Sequence, residues 1–130
     1  MSERTHPGGV YKINYHFVWC PKYRRPVLSP EIAQRLRDLL HVKVVELGGA
    51  VLALEIQADH VHLFVEMPPK LPPAQIVYRL KGYTSGCLRR EFPHLRSRLP
   101  SLWSRAYYVG TAGNVSAETI RHYIAAQKGR

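Results

Sequence analysis

Apolar and polar side chains alternate along two segments of the chain, residues 10–19 and residues 60–67. A period of two is typical of a half-buried strand, so both segments are predicted to be strands. The apolar run at residues 50–56 has the length of a strand and lies a short break before the second segment, which predicts a hairpin. Residues 102–111 are rich in Trp, Tyr and Val and are predicted to form a fourth strand.

Apolar residues at helical spacing predict helices in the segments between and after these strands. The first helix begins at Ser29, a hydroxyl N-cap followed by proline, and ends at the glycine pair 48–49. The second follows a proline-rich connector at residues 68–73, although its two internal glycines are poor helix formers. A loop is predicted across residues 93–100, and a last helix begins at Ser116.

The order of these elements is strand, helix, strand, strand, helix, strand, helix. It predicts an α+β fold of the ferredoxin-like or RRM-like βαββαβ type, with a four-stranded antiparallel sheet and a C-terminal helix. The chain has 130 residues, of which 45% are hydrophobic and 22% charged, and we expect one domain over residues 1–130. One face of the sheet should stay free of the two crossover helices, so a site can be built there.

The composition predicts that the protein binds a polyanion and that it is located in the cytoplasm. There are 19 Lys and Arg residues against 9 Asp and Glu, a formal net charge of +10, and nucleic acid is the natural partner of such a chain. Cys20 and Cys87 are too few and too far apart for a disulfide scaffold. Residues 1–9 lack the apolar core of a signal peptide, and no apolar stretch is long enough to span a membrane.

Two histidines on the predicted third strand are candidate metal ligands. His60 and His62 are two residues apart, so their side chains point to the same side of the sheet. Two imidazoles placed in this way can chelate one divalent cation. Histidines that are only exposed or hydrogen-bonded produce the same pattern, so the pair alone leaves both interpretations open.

Tyr123 and Gln127 form a second candidate pair on the predicted C-terminal helix, where four residues place them one turn apart on one face. A tyrosine can become a covalent nucleophile when a metal or a base assists it. Alternatively, Tyr123 packs in the core beside Ile120 and Ile124, and Gln127 is a solvated residue. The catalytic interpretation gains weight from the histidines, because two imidazoles and one amide oxygen leave coordination positions open for a phosphodiester.

The chain resembles the single-tyrosine HUH transposases of small hairpin-ended bacterial insertion sequences. The resemblance covers most of the chain. It rests on YHFVWCPKYRRPVL at residues 15–28, ADHVHLFVEMP at 58–68, LKG at 80–82, LWSRAYYVGTAG at 102–113 and VSAETIRHYIAAQ at 115–127. These motifs are specific in combination and occur in the family's order.

The resemblance implies that His60 and His62 are the paired metal ligands, that Tyr123 is the nucleophile and that Gln127 is the third ligand. It implies an enzyme that cleaves and rejoins single-stranded DNA, leaving a 5′-phosphotyrosine and a free 3′-hydroxyl, with Mg²⁺ or Mn²⁺ as cofactor. It further implies a homodimer in which the sheets join edge to edge and the tyrosine helix can complete the partner's active site.

Basic and aromatic side chains are the candidates for contact with the DNA hairpins. Residues 20–28 carry a basic cluster between prolines and are predicted to form an exposed loop, and the second helix carries further cations. Cations bind phosphates, and aromatic rings stack on unpaired bases. The predicted contact residues are Lys22, Tyr23, Arg24, Arg25, Arg79, Lys81, Arg89 and Arg90. Tyr83 is either a further stacking residue or part of the core.

Two alternative functions remain open. A domesticated REP-associated tyrosine transposase would perform the same chemistry on chromosomal repeat hairpins, and would more often act as a monomer. A non-catalytic RRM-like protein would bind nucleic acid on its sheet, although no RNP-like aromatic motif is evident. Replication initiators and plasmid relaxases share the chemistry, but the extra domains usually joined to them are missing from this sequence.

Overall fold

The computed structural model describes residues 12–111, which contain four strands and three α-helices. The elements in chain order are β1 (Ile13–Pro21), a short 3₁₀ helix (Lys22–Arg24), α1 (Pro30–Glu46), β2 (Ala50–Gln57), β3 (His60–Met67), α2 (Pro73–Glu91), α3 (His94–Arg98) and β4 (Trp103–Thr111). The predicted C-terminal helix, with Tyr123 and Gln127, lies outside the described residues. None of the helices within residues 12–111 is long and apolar enough to cross a membrane.

The four strands form one antiparallel sheet in the order β2-β3-β1-β4. This is the split βαβ arrangement, in which β1 and β3 occupy the centre and the two crossover helices connect strands that are not neighbours. The predicted α+β fold is confirmed. The register places Val18 of β1 opposite His62 of β3 and Tyr108 of β4.

The core lies between one face of this sheet and helices α1 and α2. The alternation along β1 and β3 predicted which side chains point inward, and the structure buries them. The strands contribute Phe17, Trp19, Val61, Leu63, Val65 and Met67, and the helices contribute Ile32, Leu36, Leu40, Ile76, Leu80 and Leu88. The opposite face of the sheet, as far as the described chain shows, has no helix packed on it, and it carries the polar positions of the central strands.

Helix α1 begins and ends where its capping residues predict. The side chain of Ser29 accepts a hydrogen bond from the amide of Ile32 at 3.4 Å, and Pro30 occupies the first turn. At the other end Gly48 has φ +92°, the left-handed conformation that ends a helix at low cost for glycine. Gly49 then lies against Met67 without room for a side chain, which brings β2 directly alongside β3.

Helix α2 is unbroken through both of its glycines, which the sequence had marked as weak points. Gly82 and Gly86 are exposed, and an added Cβ at either position meets no described atom within 4 Å. The opposite side of the helix buries Leu80, Thr84 and Leu88 completely. Tertiary packing therefore outweighs the intrinsic cost of glycine, about 1 kcal/mol per residue relative to alanine.

Two predicted loops are shorter than expected. Strand β1 continues to Pro21, because Pro21 still pairs with Trp103 after a bulge in the β1–β4 ladder. The loop predicted at residues 93–100 contains α3, a helix of little more than one turn. Burial of Leu95 in the core stabilises this helix. Such a non-local contact is not revealed by a local sequence pattern.

Buried hydrogen bonds attach the start of β4 to α2. The indole N–H of Trp103 donates to the Thr84 hydroxyl at 3.0 Å, and this hydroxyl donates to the Leu80 carbonyl at 2.8 Å. The ammonium of Lys81 donates to the Ser104 carbonyl at 2.6 Å. Strand β4, which is an edge strand of the described sheet, is thereby fixed at its first residues.

The Thr84 hydroxyl is expected to be the most sensitive part of this attachment. Thr84→Val keeps the shape of the side chain but leaves the buried Trp103 N–H without its acceptor, which should lower the free energy of unfolding by about 1–3 kcal/mol. Urea denaturation followed by tryptophan fluorescence measures this loss. Thr84→Ser retains the hydroxyl and is the control. Equal stability of the Val and Ser variants would contradict the assigned role.

Candidate functional site

His60 and His62 lie side by side on the helix-free face of the sheet. Val61 and Leu63, which alternate with them along β3, point into the core and are fully buried. The two imidazole ring centroids are 5.1 Å apart, with an angle of 79° between the ring planes. This separation allows one nitrogen of each ring to reach a single ion at the roughly 2.0–2.1 Å typical of metal–imidazole bonds.

Both histidines use the same ring nitrogen for contacts within the protein. His60 Nδ1 lies 2.7 Å from the Oδ1 atom of Asp59, and His62 Nδ1 lies 3.2 Å from the Nε2 atom of His16. Nε2 of each ring is thus the nitrogen left to face a ligand.

His16 is a site residue that sequence reasoning missed. It lies on β1 opposite Phe64, and its ring stacks on the Phe64 ring with centroids 4.0 Å apart and planes within 7°. The Tyr108 ring approaches its edge, at 5.7 Å between centroids. The sequence signal for His16 is weak, because His16 is one of several polar positions in the alternation of β1. Its place beside His62 follows only from the β1–β3 register.

Burial disfavours the charged form of two of these imidazoles. Burial, together with the nearby His62, lowers the pKa of His16 to about 4. Burial also lowers the pKa of His62, with a further contribution from His60 and a partial opposing effect of Glu55, which pairs with His62 across the β2–β3 ladder. A neutral imidazole has the lone pair that metal coordination requires, so the electrostatics suit a metal ligand.

Asp59 connects this face to the basic turn at residues 22–25. One carboxylate oxygen contacts His60, and the other accepts a hydrogen bond from Arg24 Nε at 3.1 Å. The His60 contact is the main cause that lowers the pKa of Asp59, and Arg24 lowers it further. Arg24, predicted to contact DNA, is therefore also an ion-pair partner within the protein.

The basic turn presents an aromatic ring to solvent. Tyr23 is 67% exposed, and both Tyr23 and Arg24 have positive φ, at 60° and 52°. Two consecutive residues with side chains in the left-handed region are strained, and such strain clusters at functional sites. Lys22 and Arg25 lie near the ring, 5.5 Å and 6.0 Å from its centroid. The turn thus combines cations with an aromatic surface.

The four predicted contact residues on α2 have different environments. Arg79 is exposed, and Arg90 approaches the Cys87 sulfur at 3.6 Å. Lys81, whose pKa is lowered by burial, instead donates to the main-chain carbonyl of Ser104 in β4, and Arg89 donates to that of Pro100, shortly before β4. Lys81 and Arg89 therefore have structural hydrogen bonds that their sequence pattern did not predict. Tyr83 is packed partly in the core, with Lys43 Nζ 4.8 Å from its ring centroid.

A groove of about 1090 Å³ runs between α2 and β4. The described residues that line it include cations and tyrosines, and none of these residues is acidic. The cations are Lys43, Arg79, Lys81 and Arg105, and the aromatic residues include Tyr78 and Tyr107. A positively charged groove with exposed aromatic rings is the surface that single-stranded nucleic acid binds. Arg105, Tyr78 and Tyr107 were absent from the predicted contact residues.

Gly110 gives the Tyr108 ring its place beside His16. A Cβ on Gly110 would lie 2.6 Å from the Tyr108 hydroxyl oxygen, and Gly110 pairs directly with His16 in the β1–β4 ladder. We expect Gly110→Ala to displace the Tyr108 ring and thereby to change the ring-current shifts of the His16 ring protons in NMR spectra. Tyr108→Ala is the reference for complete loss of the ring, and unchanged His16 shifts in Gly110→Ala would refute this packing.

The described residues supply two candidate histidine ligands rather than a complete metal centre. Within residues 12–111, no group of three or more His, Cys, Asp or Glu side chains is arranged to hold a metal ion. The residues predicted to join the pair, Tyr123 and Gln127, lie outside the described range.

The sequence profile of the family described as "Transposase IS200 like" matches residues 9–127. The ISDra2 transposase TnpA of Deinococcus radiodurans is 34% identical over 122 residues, which cover 92% of this chain and 87% of that protein. The transposase for insertion sequence element IS200 of Salmonella typhimurium is 33% identical over 128 residues, 97% of this chain and 84% of that protein.

Solved structures share the fold. A candidate transposase from Deinococcus radiodurans R1 aligns with a TM-score of 0.77 and 35% identity, over 95% of this chain and 96% of that one. A REP-associated tyrosine transposase bound to a REP hairpin aligns with a TM-score of 0.56 and 18% identity, over 86% of this chain and 62% of that one. The profile match over residues 9–127 and the identity to the two transposases show that this chain belongs to the IS200-like transposase family.

Proposed function

We propose that this protein cleaves and rejoins single-stranded DNA at insertion-sequence ends through a 5′-phosphotyrosine intermediate, with assistance from a divalent metal. The observation that carries the proposal is the His60–His62 pair, with both Nε2 atoms available on the helix-free face of the sheet. In a member of a transposase family, such a pair supports a role in phosphodiester chemistry.

The donor set fits a divalent metal. His60 and His62 would hold the ion through Nε2, and Gln127 would supply an amide oxygen as the third protein ligand. Imidazole suits Mn²⁺ better than Mg²⁺, whereas DNA phosphate oxygens favour either hard ion. When bound, the metal would polarise the scissile phosphodiester and stabilise the charge that develops on it.

Tyr123 is the proposed nucleophile. Its phenolic oxygen loses its proton to solvent or a base and bonds to phosphorus, while the bond from phosphorus to the 3′ oxygen breaks and that oxygen takes a proton. The 5′ end is then attached to the protein, and a 3′-hydroxyl is free. Attack of a 3′-hydroxyl on the phosphotyrosine reverses these bond changes, so rejoining needs no nucleotide hydrolysis.

Hairpin DNA is the proposed substrate, and a homodimer the proposed assembly. The net charge of +10, the basic turn and the groove between α2 and β4 support binding of a polyanion. The REP-associated transposase that shares this fold was solved with a REP hairpin bound. Strands β2 and β4 are the edges of the described sheet, and a free edge is compatible with pairing between two copies.

The decisive experiment incubates the full chain with labelled single-stranded DNA that carries the end hairpin of the flanking element. Reactions contain Mn²⁺, Mg²⁺ or EDTA and are resolved by denaturing electrophoresis. A metal-dependent covalent protein–DNA band is expected. A retarded complex in native gels without any covalent band would overturn the proposal and favour a binding protein, and light scattering of the same preparation distinguishes dimer from monomer.

A further inference from the structure

We infer that Asp59 and His16 are positioning residues that fix the orientation and the tautomer of the two metal-binding histidines. Each would hold one histidine with its proton on Nδ1, so that Nε2 carries the lone pair that faces the ion. This inference rests on the metal site of the proposed function. It assigns roles to two residues outside the His60–His62 pair, one in the β2–β3 turn and one on a different strand.

Asp59 determines the tautomer of His60 through simple hydrogen-bond chemistry. An ionised carboxylate can only accept hydrogen bonds, so the 2.7 Å contact between its Oδ1 atom and His60 Nδ1 requires the proton on Nδ1. The second oxygen is held by Arg24 Nε at 3.1 Å, which prevents free rotation of the carboxylate. A carboxylate behind a ligating histidine is a recurrent device that orients the ring and raises its basicity as a ligand.

His16 performs the corresponding task for His62 from the adjacent strand. Its Nε2 atom lies 3.2 Å from His62 Nδ1. Either nitrogen of this pair could carry the shared proton, but only one arrangement leaves His62 Nε2 unprotonated, namely His62 donating to His16. Because a metal ligand needs that free lone pair, metal binding requires His16 to accept and to carry its own proton on Nδ1.

The position of His16 is fixed by contacts that do not depend on His62. Its ring lies flat on Phe64, with centroids 4.0 Å apart, and Tyr108 meets it edge-on. A ring held between two aromatic neighbours presents Nε2 in a defined direction, as a positioning residue must. The two histidine ligands are thus supported from opposite sides, by a carboxylate at one and by a clamped neutral ring at the other.

The first test measures the tautomers directly in the metal-free wild-type protein. Long-range ¹H–¹⁵N correlation spectra distinguish protonated from unprotonated ring nitrogens. We expect His60 and His62 each to be protonated at Nδ1 and unprotonated at Nε2. A spectrum in which either histidine carries its proton on Nε2 would overturn the inference, whatever the protein does to DNA.

The second test measures Mn²⁺ binding to the full-length protein by calorimetry, with Mn²⁺ alone as the probe. Asp59→Ala and His16→Phe should each weaken binding by about 10–100-fold, the usual effect of removing a partner behind a metal ligand. His16→Gln should restore much of the affinity, because its amide oxygen can accept from His62 Nδ1. Asp38→Ala and His41→Phe, at exposed positions of α1, are the matched controls, and thermal unfolding verifies that every variant folds.

The two proposals fail in different ways. Wild-type protein that binds no Mn²⁺ and forms no covalent adduct would refute the proposed function. Wild-type protein that binds Mn²⁺, with unchanged affinity in Asp59→Ala and His16→Phe, would refute the positioning roles alone. If a variant unfolds, the milder Asp59→Asn and His16→Gln substitutions and the wild-type tautomer spectrum still decide the question.

Discussion

Tyr123→Phe is expected to abolish the covalent protein–DNA adduct while hairpin binding persists. Phenylalanine keeps the ring of the proposed nucleophile but lacks the oxygen that bonds to phosphorus, so no step can bypass its loss. Adduct formation should fall by at least about 10³-fold, as expected when a covalent nucleophile is removed. Denaturing electrophoresis measures the adduct, and native gels at fixed salt measure binding.

The matched control for this prediction is Tyr15→Phe, which removes a hydroxyl from a tyrosine of β1 that packs in the core rather than on the helix-free face. It should retain the full adduct. An adduct that survives Tyr123→Phe would mean that another tyrosine attacks the DNA. Tyr108, which lies beside His16 on the helix-free face, would then be the first to test by Tyr108→Phe.

His62→Ala is expected to have the next largest effect, with loss of both metal affinity and adduct formation. Removing one of two imidazoles leaves His60 without the second histidine of the pair, and it also removes the contact between His62 Nδ1 and His16 Nε2. Adduct formation should fall by about 10²-fold or more, since electrostatic stabilisation of the transition state is commonly worth that much. Calorimetry with Mn²⁺ and the electrophoretic assay measure the two losses separately.

His41→Ala is the control for this second prediction, because His41 is an exposed histidine of α1 whose Nδ1 contacts the carbonyl of Arg37 within the same helix. It should bind Mn²⁺ and form the adduct like the wild type. DNA binding in His62→Ala should survive, since the proposed phosphate contacts come from cations elsewhere. Normal adduct formation in His62→Ala would exclude the histidine pair as the metal site.

Local patterns predicted most of the fold because its strands and caps are determined by near neighbours in sequence. The alternation along β3 identified its buried face, and Ser29 marked the start of α1. The errors arose where a distant contact decides the outcome. Leu95 forms a helix in an expected loop because the core buries it. The predicted helix α2 is confirmed, and it passes through Gly82 because its other face is packed.

In the candidate site, too, local sequence patterns predict some features and distant contacts determine the others. His60 and His62 share a face through their spacing alone, whereas His16 joins them only through the cross-strand register of β1 and β3. The structural bonds of Lys81 and Arg89 depend on where carbonyls of another segment lie, and composition carries no information about that. The roles of Tyr123 and Gln127 remain predictions from spacing and resemblance.

The attachment of β4 to α2 makes the local stability of this strand unequal along its length. Its first residues are bound to β1 and also to side chains of α2, whereas residues 108–111 have no side-chain hydrogen bond to α2 among the described contacts. Local opening therefore costs least at the end of the strand that leads into the C-terminal segment. Residues 108–111 can separate from β1 while the first residues of β4 stay attached to the core.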